Sequence, residues 1–420
     1  MAIGIDIGTS GVRASAIDAS QQVLAHASAV LPPGDDAREP HIWLQAMERV
    51  LLSVLSRIEP VEVRAIAVDG TSGTCLAIDR LGSPIGRAAM YYDQLPEDID
   101  ADRFWATVPT DSAARSATSP AGKALALLRH RDLSRIVHQA DWLSGCLSGQ
   151  FEVTDENNAL KTGYDPVSRR WPDWLETLGL DIGLLPRVVE PGTVIGTVTT
   201  SIVDRLGLSP QTLVVAGTTD GCASFMATGA AEIGDGVTAL GSTLTIKLLT
   251  DRPVTSPRHG IYSHRLFGKW LAGGASNSGG KALAQHFSTD ELVRLSSQID
   301  PAVPSALDYY PLPRPGERFP ISDPNLAPRA APRPDNDVAF LHGLLEGIAR
   351  IEALGYRTLA DLGAHPLKTL RTVGGGAHNK QWAEMRHRLT GAEMRVPLSD
   401  DAAVGVARLA LIGADLLKDA

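Results

Sequence analysis

Along the chain, apolar and polar positions fall into short runs that switch between a two-residue and a helical period. Ile3, Ile5 and Ile7 alternate with Gly4 and Asp6, the period of a strand with one face buried. Gly8-Thr9-Ser10-Gly11 interrupts as a turn, and residues 12–17 and 22–30 resume as strands. Residues 41–56 place Ile42, Ala46, Val50, Leu51 and Val54 on one helical face. A β-rich run at 63–68 ends in Asp69-Gly70-Thr71-Ser72-Gly73-Thr74, and residues 75–78 continue as a strand. Residues 93–120 read as polar and irregular; 123–129, 140–147 and 171–178 read as helices, and 188–198 as a loop-and-strand stretch.

In the second half, the buried strand 213–217 runs into Gly217-Thr218-Thr219-Asp220-Gly221 and a small-residue helix over 222–229. Two apolar β runs flank Gly241-Ser242-Thr243 within 234–250, repeating the design of the opening hairpin. A β pattern over 261–271 leads to Gly273-Gly274-Ala275-Ser276-Asn277-Ser278-Gly279-Gly280-Lys281. That segment lacks the spacing of a Walker A loop, and Ala282 stands where its hydroxyl would be. The Pro/Arg-rich residues 301–337 read as a long surface excursion. A long helix is expected over 338–362, interrupted near Gly355, then a strand at 370–373 ending in Gly374-Gly375-Gly376-Ala377-His378-Asn379. The last helix, 402–417, is rich in Ala and Gly, which allows close packing, and Asp400 and Asp401 can cap it.

Several of these turns carry candidate chemistry. Gly8-Thr9-Ser10-Gly11 offers backbone N–H groups and hydroxyls that can wrap a phosphate, and Asp6 can hold Mg²⁺ through water. The same residues also suit an ordinary Gly-rich hairpin. The Asp69 loop is a candidate neighbour of the first, or a turn with an Asx cap. Asp220 is either a helix N-cap, worth about 1 kcal/mol, or a carboxylate at the C-terminal edge of a sheet. The triple glycine lets a nucleotide lie against backbone, or makes a tight turn.

Size and charge narrow the class. A chain of 420 residues suits two domains rather than one. A net charge of -9 without a basic stripe argues against nucleic-acid binding. The three cysteines, Cys75, Cys146 and Cys222, form no CxxC and read as buried structural thiols in a cytoplasmic protein. No apolar run reaches the length of a membrane span.

Two Gly/Ser/Thr hairpins in separate halves, a sheet-edge aspartate and a late Gly-rich loop fit a nucleotide gripped by two lobes. The set resembles the FGGY family of carbohydrate kinases, within the actin/Hsp70/sugar-kinase superfamily. Its carriers are Gly4-Ile5-Asp6-Ile7-Gly8-Thr9-Ser10, Asp69-Gly70-Thr71, Gly217-Thr218-Thr219-Asp220, Gly241-Ser242-Thr243, Leu345-Glu346-Gly347-Ile348 and Gly374-Gly375-Gly376-Ala377-His378-Asn379. The resemblance covers essentially the whole chain. It implies an α/β fold of two RNase-H-like, actin-like ATPase lobes, at 1–228 and 229–401 with the helix in 402–420 packing back on the first, and a cleft between them that closes to exclude water.

The resemblance also implies roles. Thr9, Ser10 and Gly11 line the γ-phosphate site; Gly241, Ser242 and Thr243 contact phosphates; Gly374, Gly375, Gly376 and Asn379 cradle the adenosine. Asp220 is the general base, Asp6 organises Mg²⁺, and Asp6, Ser10, Ser72 and Asp220 meet the sugar. ATP and Mg²⁺ are the implied cofactors, and a monomer or homodimer is the implied assembly. At Tyr91-Tyr92-Asp93-Gln94 the chain lacks the Trp-containing segment and following Arg of many relatives. Its compact length, the Asp69–Thr74 loop and the 273–280 segment look most like short cyanobacterial and plant members regarded as D-ribulose kinases. Phosphorylation of the C5 hydroxyl of D-ribulose is therefore expected. D-xylulose or another small polyol is the alternative, and a non-sugar ATPase switch is the reading from a different class.

Overall fold

The computed structural model describes residues 1–416; Leu417, where the last helix was expected to end, lies outside the described residues. Two compact units are present: residues 1–227, 264–267 and the stretch from 401 onward, and residues 228–263 with 268–400.

The first unit is built on β1 (Ala2–Ile7), β2 (Gly11–Ile17), β3 (Val23–Val30) and β4 (Ala65–Gly70). It adds the short pair β5 (Cys75–Ile78) and β6 (Arg135–His138), the parallel pair β7 (Val153–Asp155) and β8 (Arg187–Val189), then β9 (Val194–Thr197) and β10 (Leu213–Thr219). Its main sheet runs β3-β2-β1-β4-β10-β9, with β1 antiparallel to β2 and parallel to β4. The second unit holds β11 (Asp235–Leu240) and β12 (Leu244–Thr250), whereas β13 (His264–Leu266) belongs to the first. With β14 (Lys269–Ser276), β15 (Thr369–Val373) and β16 (Glu393–Arg395), the second sheet runs β14-β12-β11-β15-β16. Here too the first strand of the unit is antiparallel to its hairpin partner and parallel to the strand on its other side. The same RNase-H-like topology thus occurs twice.

The alternation in β1 suggested one buried face, but all six residues of the strand are buried. Helix Pro40–Leu55 joins the apolar cluster with Ile3, Ile5 and Ile7, while helix Ala402–Gly413 packs along the other face. The second layer comes so close that a Cβ on Gly4 would lie 2.1 Å from the Ala403 carbonyl oxygen and 2.2 Å from the Ala407 nitrogen. Gly4→Ala therefore forces helix and sheet apart. It is expected to cost about 3 kcal/mol or more in chemical denaturation, the upper end of what overpacking costs; a loss below about 1 kcal/mol would contradict this packing.

Other expectations need correction. Residues 301–336 contain no helix or strand, yet they are more than a surface excursion: Tyr309, Tyr310, Leu312 and Phe319 are buried in the core of the second unit. Glu317 is buried with them and accepts hydrogen bonds from Ser276 Oγ, Asn277 N and Tyr310 Oη. The prolines prevent regular elements, while the aromatic side chains supply core. The long helix Asp337–Asp361 runs unbroken through Gly355, whose missing side chain makes room for Ile246 and Phe319. Helix Ala101–Thr107 lies in the stretch read as irregular, and helix Asp220–Ala227 begins two residues earlier than expected. Cys75 and Cys222 are buried, but Cys146 is only half-buried; burial pushes the Cys75 thiol up to about 11 and that of Cys146 to about 12. No helix among the described residues is long and apolar enough to cross a membrane.

Candidate active site

In the first unit the register of the parallel strands brings distant residues to one sheet edge. Asp6 pairs across the hairpin with Arg13 and across the parallel ladder with Asp69. On the next strand Thr218 is opposite Asp69 and Thr219 opposite Gly70, so Asp220 follows at the same edge. Arg13 Nη1 donates to Asp6 Oδ2 at 2.9 Å. Asp69 does not cap a turn: it is 0% exposed, and neither carboxyl oxygen has a donor among the described residues. Burial first, then the Asp6 carboxylate beside it and the charges of Asp220 and Asp401, hold its proton affinity well above the usual carboxylate range.

Asp220 is half-buried and is itself the first residue of its helix. Its Oδ1 accepts the N–H of the adjacent Gly221 at 2.6 Å, whereas an N-cap would receive the N–H two or three residues on.

At the hairpin tip, Gly8 N donates to Gly11 O and Leu31 N to Ser10 O, each at 3.0 Å. This fixes the tip while Thr9 and Ser10 stay exposed. The Ser10 hydroxyl makes no hydrogen bond among the described residues, and Thr9 Oγ1 lies 3.1 Å from Tyr91 Oη. In place of the absent Trp segment stand Tyr91 and Tyr92, packed edge to face. Arg38 lies over the Tyr92 ring and forks onto Asp93 at 2.5 and 2.8 Å.

Ser72 is held indirectly, through residues that no motif singles out. Gln139 Oε1 accepts both the N–H and the hydroxyl of Thr71, at 3.0 and 2.9 Å. Lys123, 1% exposed, donates to Met90 O at 2.6 Å and Gly73 O at 3.4 Å; burial lowers its pKa. Lys161 Nζ lies 3.5 Å from Ser72 O.

At the end of β7, Asp155 accepts the N–H groups of Asn157 and Asn158, yet burial, reinforced by the Asp141 charge, pushes it up to about 7. The folded state therefore binds a proton that the unfolded chain releases near pH 4. Stability from this group is complete below that pH and is lost as the pH rises from about 4 to 7. Asp155→Asn should remove a slope on the order of 2–4 kcal/mol across that window, measured by urea denaturation at successive pH values. An unchanged slope would refute the assignment.

In the second unit, Gly241, Ser242 and Thr243 form the tip between β11 and β12. Gly280 N donates to Gly241 O at 2.9 Å and Lys281 N to Ser242 O at 3.1 Å, so the 277–281 segment backs this hairpin and does not form a P-loop of its own. The hydroxyls of Ser242 and Thr243 make no hydrogen bond among the described residues. Beside the tip lies a cavity of about 620 Å³, within the range of small-molecule sites. Gly241, Ser242, Gly375, Gly376 and Asn379 line it; Thr243 and Gly374 do not. A Cβ on Gly376 would lie 2.7 Å from Leu240 Cβ and from the Trp382 ring, so the turn tolerates no side chain there.

Asn379 caps helix Lys380–Thr390 through Trp382 N at 3.0 Å and donates to Ser296 Oγ at 2.8 Å. The cavity's apolar wall, Phe287, Leu292 and Val293, comes with helix Thr289–Ser296, which the sequence reading missed. Its signal was Ser288 and Glu291, a capping box just before Leu292. Glu346 of the Leu345–Ile348 motif is structural: it binds Arg350, Arg388 and Ser305 N.

Among the described residues, no group of three or more His, Cys, Asp or Glu side chains could hold a metal ion. Asp6 at the sheet edge fits Mg²⁺ held through water, since the ion takes one or two carboxylates and completes its shell with water and phosphate.

Paired RNase-H-like units, carboxylates at the strand ends of one and a nucleoside-sized cavity in the other, define the actin-like ATPase fold. The chain matches the N-terminal domain of the FGGY family of carbohydrate kinases over residues 1–100 and 128–227. It matches the C-terminal domain of the same family over residues 233–414. It belongs to this family, whose members use ATP with a divalent metal ion. A xylulose kinase of Streptomyces rubiginosus is 28% identical over 94% of this chain and 84% of its own length. An autoinducer-2 kinase of Yersinia pseudotuberculosis is 27% identical over 99% of this chain and 86% of its own. A ligand-bound xylulose kinase structure from Lactobacillus acidophilus superposes with a TM-score of 0.84 at 18% identity, over 99% of this chain and 90% of its own, a likeness of fold.

Proposed function

We propose that this carbohydrate kinase transfers the γ-phosphoryl group of ATP to the C5 hydroxyl of D-ribulose. The observation that carries the acceptor side is the convergence of Asp6, the Ser72 loop and Asp220 on one sheet edge. Asp220 takes the proton of the attacking hydroxyl, and Ser72 and Asp6 orient the sugar. The Thr9–Gly11 tip offers N–H groups and the Ser10 hydroxyl to the transferred group. The adenosine lies in the 620 Å³ cavity, against Gly375, Gly376 and Asn379, with Ser242 and Thr243 at the phosphates. Mg²⁺, held through water by Asp6, would neutralise phosphate charge. The remaining work of the protein is positioning and electrostatic stabilisation, as phosphoryl transfer generally requires.

The compact length and the Asp69–Thr74 loop support D-ribulose, and the tyrosine pair where many members carry a Trp segment counts against glycerol and the usual xylulose contacts. The likeness to a Streptomyces xylulose kinase favours D-xylulose as the second reading. The two sugars differ in one hydroxyl configuration, which only pocket contacts can sort. ADP release measured with D-ribulose, D-xylulose, pentitols and glycerol is expected to give the highest kcat/KM for D-ribulose. Equal or better turnover of D-xylulose would overturn that choice.

A further inference from the structure

In the first unit a second cavity, of about 770 Å³, opens between the parallel pair β7–β8 and the turn that precedes Trp171. None of the residues assigned above to nucleotide or sugar lines it. Its walls carry Arg135, Arg169, Arg170 and Arg187, against the single carboxylate of Glu152. Arg135 is held by Glu152 at 3.2 Å, and Arg169 by Glu156 at 3.2 Å and by Glu190. Arg170 and Arg187 are exposed, and neither makes an ion pair among the described residues.

The backbone beneath these side chains is anchored. Asp165 N donates to Arg170 O at 3.1 Å, and Asp165 Oδ1 accepts Val167 N at 2.9 Å. Arg169 adopts a φ of 55°, a left-handed conformation uncommon outside glycine, so the turn is held against its local preference. Arg187 N is bonded to Glu152 O at 2.9 Å beside the β7–β8 ladder. Trp171 lies between the arginines, fixed by its Nε1 on Pro186 O and by an edge contact with Tyr164.

We propose that this groove is a second ligand site, which binds the phosphate monoester of a small metabolite. Unpaired guanidinium forks match the oxygens of a phosphate dianion, and the half-buried indole offers an apolar face to a short carbon skeleton. The volume lies in the range of small-molecule sites. A nucleic acid is disfavoured by the chain's net charge of -9, which makes this local excess of arginine an exception to the overall field.

The test is calorimetric titration of the full chain, at low salt, with inorganic phosphate and with a pentose 5-phosphate. Saturable binding is expected, and Arg170→Ala/Arg187→Ala should weaken it about tenfold or more. The kinase rate measured without added phosphate ester should stay unchanged. The single changes Arg170→Gln and Arg187→Gln should give intermediate losses, which keeps the test readable if the double change disturbs folding. Binding that persists undiminished in these variants would place the ester at the sugar site and overturn the proposal, as would no binding at millimolar concentration.

Discussion

Asp220→Asn is expected to lower kcat roughly 10²–10⁴-fold, the usual contribution of a positioned base, with nucleotide affinity unchanged. The carboxamide has the size of the carboxylate, and its Oδ1 can still accept the Gly221 N–H, so the start of helix Asp220–Ala227 is kept. What disappears is the site that takes the hydroxyl proton. The cavity proposed for the nucleotide is built from other residues, all in the second unit, and should still bind ADP. Coupled ADP-release kinetics and ADP titration separate the two effects. A fall in kcat of less than about tenfold would remove Asp220 as the base.

Arg386→Ala should be among the most destabilising single changes in the second unit, at about 3–5 kcal/mol. Arg386 and Glu352 are each 1% exposed, and the guanidinium meets both carboxylate oxygens at 2.6 Å. Arg386 also donates to Thr372 Oγ1, while Thr238 donates to Glu352 Oε1 and lies 3.0 Å from Tyr356 Oη. Burial, with the Glu352 charge beside it, raises the Tyr356 phenol well above its usual range. Removing the cation leaves a buried carboxylate with only hydroxyl partners, which is far worse than removing both charges. Glu352→Leu/Arg386→Met should therefore recover part of the loss, limited by the hydroxyls it strands. Denaturant titration of the single and double variants tests this, and a single-variant cost below about 1 kcal/mol would contradict it.

What could be read in the sequence was what local chemistry determines. The opening hairpin, the second Gly-Ser-Thr tip and the strand ahead of Asp220 announce themselves through period and turn residues. The Asp69 loop was legible as a neighbour of the first hairpin, but the burial of its carboxylate beside Asp6 was not, because that depends on the register of β4 against β1, two strands far apart in sequence. Lys123 and Gln139 look like ordinary helix residues until burial turns their head groups onto the Ser72 loop. Arg38 likewise reaches Asp93 from 55 residues away. The proline-rich stretch misled in the opposite direction: composition suggested surface, whereas four large side chains at 309–319 reached the core.

The close approach of Gly4 to helix Ala402–Gly413 also sets an order of assembly. The central strand of the first sheet is made before the whole second unit, and the helix that covers its Gly4 face after it. On the ribosome, Ile3, Ile5 and Ile7 can pack on helix Pro40–Leu55 early, whereas the Gly4 face of the strand must wait through synthesis of the entire second unit, which can pack its own core meanwhile. The first unit is therefore completed only after the second has been made, and a chain halted before Ala402 leaves the Gly4 face of the first sheet uncovered.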